Sequence, residues 1–445
     1  MRQILVIGSG KSTSYLIKYL LDHAATESLL ITIADIHIEN AERLINNHLN
    51  GNTIQLDIFN DASRYEIIKA SDIVISMLPA HLHINIAKDC LKLNKNLVTA
   101  SYVSPEMQAL NEEVKAKGLI FMNEIGVDPG LDHMSAMKVL DDIREKGGEI
   151  LSFESSTGGL IAPESDNNLW HYKFTWNPRN VVLAGQGGTA KYLKEGSYKY
   201  LPYNQLFKRA ETLNIENHGR FEVYANRDSL KYQAAYKLEN AKTLYRGTMR
   251  RAGFCQAWDV FVSLGMTDDS FTMDDSEHLS HRNFLNAFLP YHPSDSVESK
   301  LQKLLKIEYT DLIWKKLEAL DLFNNNKYTK LEKATPAQIL QNILMDSWSL
   351  SEQDKDMVVM YHKFGYKLSG KKHETTSTMV TIGTDSTYTA MAKTVGLPVA
   401  IATISILNKK ITQPGVHIPI TKEIYLPILT ELETYGIIFN EKNRI

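Results

Sequence analysis

ILVIGSGKSTSYLIKYL, residues 4 to 20, decides the fold. The unbroken apolar run Ile4-Leu5-Val6-Ile7 has the pattern of a strand buried on both faces. Gly8-Ser9-Gly10-Lys11-Ser12 then makes a tight turn into an amphipathic helix. Strand, glycine turn and helix N-terminus in that order form a cradle for a pyrophosphate. Glycine lets the backbone approach closely, and the unpaired N–H groups of the first helical turn face the anion. The third glycine of a G-x-G-x-x-G pattern is missing, because Thr13 and Ser14 stand there, but small residues still permit close helix packing. Gly10-Lys11-Ser12 also imitates the end of a P-loop. The first glycine of that motif would fall on Leu5, which argues against a triphosphate-hydrolysing site.

Outward from this turn, short apolar runs alternate with helical patterns. Strands are predicted at Gln3–Ile7, Leu29–Ala34, Thr53–Asp57, Ile73–Met77, Asn96–Thr99 and Leu119–Met122. Helices are predicted at Ser12–His23, Glu39–Leu49, Ala62–Ala70, His81–Leu93 and Pro105–Lys117. The alternation predicts an α/β protein with a Rossmann-type doubly wound parallel sheet. After Gly130 the texture changes. One more helix, Leu131–Lys146, leads into the alternating run Ile150–Thr157. A Tyr-, Phe- and Gly-rich stretch from Trp170 to Arg251 then reads as an open sheet. Helical patterns run from Leu264 to Ser351, strands are expected at Met357–Tyr366 and Thr376–Gly383, and a helix at Thr387–Val395. The expected division is a dinucleotide domain over 1–128, with a segment at about 385–420 packing back on it. A substrate-binding α/β domain takes 129–263 and 354–384, and a small helical subdomain takes 264–353.

The bulk of the 445-residue chain is ordinary globular protein, 43% hydrophobic and 23% charged with a net charge of −3. That balance argues against a nucleic-acid partner or an anionic membrane surface. Two cysteines, Cys90 and Cys255, are too few for a disulfide framework or a thiolate metal site. The apolar run from Val395 to Leu407 contains Pro398 and is too short to span a bilayer, and the N-terminus lacks a signal-peptide pattern. A cytoplasmic protein is expected.

Ligands of an open α/β sheet bind beyond the carboxyl ends of its strands, which directs attention to the residues there. Asp35 ends the second strand, where an acid accepts hydrogen bonds from the adenine ribose and repels the extra phosphate of NADP. Capping the next helix is its alternative role. Asp57 ends the third strand and either lines the adenine pocket or caps a turn. Leu78-Pro79 and Ser101-Tyr102 follow the fourth and fifth strands, and Asp128, Asp132 and His133 follow the sixth. Asp132 and His133 are adjacent and cannot easily share one helix face, so no metal is expected.

The ordered runs TASYVSPEM (Thr99–Met107), NEIGVDPGLDHMSAMK (Asn123–Lys138), YKFTWNPR (Tyr172–Arg179), NRDS (Asn226–Ser229), RGTMR (Arg246–Arg250) and VVMYHKF (Val358–Phe364) resemble the glutamate-forming saccharopine dehydrogenases. The resemblance implies a homodimer with NAD or NADP as cofactor. It also implies interconversion of saccharopine with glutamate and aminoadipate semialdehyde. It assigns substrate binding to Ser101, Tyr102, Asp128, Trp176 and Arg227. Fungal members that use NADP carry a basic residue near the end of the second strand, so Asp35 leans the expectation to NAD. Thr157 replaces a cysteine found in several relatives. The residue types suit the chemistry: Arg227 binds a substrate carboxylate, with Arg246 and Arg250 as weaker candidates whose alternative is a structural ion pair. Asp128 orients or deprotonates the secondary amine, or else caps the helix near Pro129. Trp176 walls the aliphatic stem or belongs to the core, and His133 packs or orients. Two rival functions share the fold: a related imine reductase of the carboxyspermidine type, and a dinucleotide-binding regulator without catalysis.

Overall fold

The computed structural model describes residues 1–444. The chain divides into two compact units, the first taking residues up to Ile150 and again from Met360 onward, the second Leu151–Val359.

The first unit is built on strands β1 (Arg2–Ile7), β2 (Leu29–Asp35), β3 (Gly51–Gln55), β4 (Ile73–Ser76), β5 (Asn96–Thr99) and β6 (Ile120–Met122). The later strands are β7 (Glu149–Ile161), β8 (Ala190–Lys194), β9 (Ser197–Leu201), β10 (Glu211–Ile215), β11 (Gly219–Ala225), β12 (Thr243–Arg251), β13 (Asp356–Leu368), β14 (Lys371–Ile382), β15 (Gly415–His417) and β16 (Asn440–Arg444). The first six and β15 form one sheet in the order β15-β6-β5-β4-β1-β2-β3, parallel throughout. All four residues of β4 are buried, as are Ile4 to Ile7 of β1. Strands buried on both faces are continuous apolar runs, the pattern of a doubly wound sheet. The sheet's order reverses between β1 and β4, so the crevice beyond their carboxyl ends is the ligand site this topology offers.

The helix expected to stop at Val395 runs from Ala390 to Leu407 with Pro398 inside it. A proline costs a helix one hydrogen bond. Here 83% of the helix's apolar window is buried, and that burial outweighs the cost. It is long and apolar enough to cross a membrane by length and composition alone, but its burial within the protein is that of a core helix. Gly396 is where it meets the first helix, Ser14–Asp22: a Cβ at 396 would lie 2.7 Å from the Leu16 amide nitrogen. The helix expected over Pro105–Lys117 is two short ones, Pro105–Ala109 and Asn111–Ala116.

In the second unit the order is β10-β11-β12-β7, with β8 paired to β12 and β9 to β8. β12 is parallel to β7 and antiparallel to β11. The helical stretch after Leu264 belongs to this same unit. Its helix Pro336–Trp348 starts with a capping box at Thr335 and Gln338. Trp348 packs its ring against Trp170, Tyr172, Phe174 and Phe254.

Candidate active site

Gly8 is required by the fold: its φ is +102°, and a Cβ would stand 2.9 Å from the Met77 carbonyl oxygen. Gly10 differs. Nothing lies within 4 Å of the position its Cβ would take, so no packing demands glycine there. Open space over Gly10, ahead of a helix with no side-chain cap and no acid in its first turn, fits close approach by a pyrophosphate. Thr13 closes the turn by donating its hydroxyl to the Gly10 carbonyl at 2.7 Å, which delays the helix to Ser14. Lys11 is exposed and Ser12 half-buried beside this space.

Asp35 is turned onto the glycine loop. Its Oδ2 accepts from the Ser9 amide at 2.6 Å and the Ser9 hydroxyl at 2.9 Å, and its Oδ1 accepts from the His37 amide at 3.0 Å. Asn40 donates to the Ser9 carbonyl, and Arg43 reaches the Asn40 side chain at 2.7 Å. The acid at the end of β2 therefore ties the glycine loop to the turn before the next helix. Asp57 accepts the Phe59 amide at 2.9 Å, a turn-capping bond. Leu78 is half-buried against the core under the sheet, and Pro79 is exposed where the chain leaves β4.

A polar chain crosses the ends of β4 and β5. His83, buried at the start of helix His83–Leu93, places Nδ1 2.8 Å from the Ser76 hydroxyl and Nε2 2.7 Å from the Ser101 hydroxyl. Burial lowers its pKa to about 4, with His81 adding to the effect, so the ring is neutral at pH 7. Beyond β6, the Tyr102 hydroxyl donates to Asp128 Oδ1 at 3.1 Å, and both residues are half-buried. At the start of the following helix, Asp132 accepts the Gly130 amide at 2.7 Å. Glu124 supports the loop from beneath, accepting the Val103 amide at 2.9 Å through Oε1, while its Oε2 lies 2.8 Å from His133 Nε2. His133 is fully buried in that network.

The three arginines singled out in the sequence lie in the second unit. Arg227 is exposed, with a left-handed backbone (φ +51°), on the loop after β11. Arg246 and Arg250 lie four positions apart, on the same face of β12, and are both buried. The Arg246 guanidinium stands 4.6 Å over the Tyr232 ring. Arg250 stands 5.1 Å from the Tyr172 ring and 5.5 Å from Phe254. Its only acceptor is the Met249 carbonyl at 2.9 Å, its Nε has none, and no carboxylate lies within ion-pair distance among the described residues. The structural ion pair considered for Arg250 is absent. Nearby in the fold, Tyr172 has a buried hydroxyl facing Arg250 and Trp176, without a well-formed hydrogen bond. Thr157 Oγ1 is likewise buried and unpaired. Trp176 is half-buried, outside the aromatic core.

Sequence reasoning missed His83 and the supporting role of Glu124. The one available signal for His83 was a histidine opening the helix after a strand that ends in serine. That arrangement puts both at the carboxyl edge of the sheet.

A parallel doubly wound sheet with an open glycine turn after its first strand defines a dinucleotide-binding fold. Residues 4–122 match the saccharopine dehydrogenase NADP binding domain, and residues 126–437 match the saccharopine dehydrogenase C-terminal domain. The chain belongs to the saccharopine dehydrogenase family. It is 34% identical to the "Saccharopine dehydrogenase [NADP(+), L-glutamate-forming]" of Saccharomyces cerevisiae, over 99% of both chains. It is 33% identical to the mitochondrial alpha-aminoadipic semialdehyde synthase of Mus musculus, covering all of this chain and 48% of that one. The apo saccharopine dehydrogenase (L-Glu forming) of Saccharomyces cerevisiae superposes with a TM-score of 0.89 over the whole of both chains, at 32% identity. A homospermidine synthase from Legionella pneumophila, solved with NAD, covers this chain with a TM-score of 0.54 and covers 91% of its own. At 10% identity that likeness shows the fold alone.

Proposed function

We propose that this protein is an L-glutamate-forming saccharopine dehydrogenase of lysine metabolism. It oxidises the secondary amine of saccharopine with a nicotinamide dinucleotide and hydrolyses the resulting imine to glutamate and aminoadipate semialdehyde, or runs the reverse. The observation that carries the reading is end-to-end identity of 34% with an enzyme of that name. When bound, the dinucleotide supplies a hydride acceptor for the carbon beside the amine. Gly8, Ser9, Gly10, Lys11 and Ser12 would hold its pyrophosphate, and Asp35 its adenine ribose.

The rest is the work of side chains. The amine must be neutral to lose hydride, and Asp128, held by Tyr102, is the base that takes or orients its proton. The same carboxylate then assists water in attacking the imine carbon, and the carbon–nitrogen bond breaks with a proton going to the departing glutamate nitrogen. Substrate carboxylates need cations, and a buried guanidinium without a carboxylate, as at Arg250, is an anion receptor in waiting. Arg227 and Arg246 are the other two receptors, and Trp176 walls the aliphatic stem.

We further propose NAD over NADP, because a carboxylate at the end of β2 would accept the ribose hydroxyls and repel a 2′-phosphate, although the fungal relative is named for NADP. The test is the absorbance of reduced nicotinamide with purified protein and saccharopine, run with NAD and NADP in parallel, with a carboxyspermidine-type amine as the control substrate. Reduction with saccharopine and a higher kcat/KM for NAD supports both readings. Reduction only with the polyamine substrate overturns the first.

A further inference from the structure

The chain Ser76–His83–Ser101 assigns a direction to the hydroxyl that faces the site. A neutral imidazole has one N–H and one lone pair, so its two neighbouring hydroxyls cannot be used alike. Ser76 is fully buried, and among the described residues its hydroxyl has one partner, His83 Nδ1 at 2.8 Å. A buried O–H left without an acceptor costs more than a spare lone pair, because oxygen keeps a second lone pair in any case. Ser76 therefore donates, Nδ1 accepts, and the proton of the ring sits on Nε2. Ser101 Oγ lies 2.7 Å from that nitrogen; Thr99 Oγ1, at 3.4 Å, is too distant to decide the tautomer and already accepts the Ser101 amide at 3.3 Å. Ser101 Oγ takes the short bond as acceptor. Its own hydroxyl proton is then left to point away from His83, and Ser101 is half-buried at the carboxyl end of β5.

We propose that His83 is a positioning residue: held in its Nε2–H form by Ser76, it makes Ser101 a hydrogen-bond donor to an acceptor oxygen of the bound ligands. That oxygen is a substrate carboxylate or the carboxamide oxygen of the nicotinamide. The proposal rests on the reading of Ser101 as a binding residue given above, and it adds what sets the polarity of that bond. The imidazole takes no proton from the substrate, since it does not reach the surface.

Two measurements test it. The first is the ¹⁵N–¹H long-range correlation spectrum of the histidine rings in the full-length, ligand-free protein, with His83 assigned by the His83→Gln variant. The expected result is the pattern of a neutral Nε2–H ring at pH 7. A neutral Nδ1–H ring, or a charged one, overturns the proposal whether or not the protein turns over saccharopine. The second is a cycle of His83→Leu, Ser101→Ala and the double variant, each checked for a native melting curve. His83→Leu and Ser101→Ala should each raise one KM about tenfold, the size of one lost hydrogen bond. The double variant should be no worse than Ser101→Ala, and His83→Gln, whose amide can donate to Ser101, should recover most of the loss. A rise confined to the saccharopine KM identifies a carboxylate as the acceptor, and a rise confined to the cofactor KM identifies the carboxamide. Losses that multiply in the double variant show that His83 does not act through Ser101 and overturn the proposal. Wild-type protein that is inactive on saccharopine with either cofactor defeats the functional reading instead, and the spectrum still decides the ring.

Discussion

At Asp35 and His83 the local sequence and the folded partner set say different things. From sequence, Asp35 is an acid at the end of a strand; in the fold its two oxygens hold Ser9 and His37. Both roles use the same charge, so Asp35→Ser should lower kcat/KM for NAD about tenfold while leaving NADP equal or improved, measured with saccharopine saturating. A parallel fall with both cofactors would assign Asp35 to the loop alone. His83 was not legible because its partners come from two other strand ends, and nothing local marks a histidine as the centre of such a chain. Its burial gives a second expectation. The folded ring titrates near pH 4 and the unfolded ring near 6.5, so below pH 6.5 the unfolded chain binds a proton that the folded one refuses. Its contribution is intact above pH 6.5 and is lost as the pH falls through 4, roughly 3 kcal/mol in all. Denaturant titrations of wild type and His83→Gln at pH 7 and at pH 4.5 should therefore show the wild type's advantage shrinking at the lower pH. A constant difference would contradict the burial argument.

Elements were easier to read than residues where burial is two-sided. The inner strands β1, β4 and β5 carry apolar runs, whereas the edge strands β3 (GNTIQ) and β15 (GVH) lack that pattern. Local sequence predicts a helix ending at Val395, before Pro398, while the burial that carries the helix Ala390–Leu407 through the proline is tertiary. Its contact with Ser14–Asp22 depends on Gly396, and Gly396→Leu should cost about 1–3 kcal/mol or more, since the branch meets the backbone of Leu16. Thermal melting is the readout, and an unchanged melting temperature would show that the two helices can separate without loss. The same helix packs on Ser14–Asp22, the helix that follows the Gly10 turn, so a variant that remains folded should also bind the dinucleotide more weakly.

For the whole molecule, the family and the parallel-sheet architecture were legible from ordered motifs spread over most of the chain, and the comparisons agree with them. Where each cation sits was not legible, because β-strand arginines look alike until the surrounding aromatic side chains are in place. If Arg250 is the carboxylate receptor proposed above, it trades stability for function. A buried guanidinium without a carboxylate is unfavourable, offset in part by the rings of Tyr172 and Phe254. Arg250→Met should raise stability by about 1 kcal/mol and raise the KM for saccharopine more than tenfold, with the dinucleotide Kd unchanged. A loss of stability with KM unchanged would make Arg250 a scaffold residue. The most direct test of the central claim is the stoichiometry of products by mass spectrometry: glutamate, aminoadipate semialdehyde and reduced nicotinamide, formed from saccharopine by the purified protein. The account predicts one of each per turnover, with solvent oxygen from labelled water appearing in the semialdehyde. Reduced nicotinamide without glutamate, or lysine in place of the semialdehyde, would contradict it.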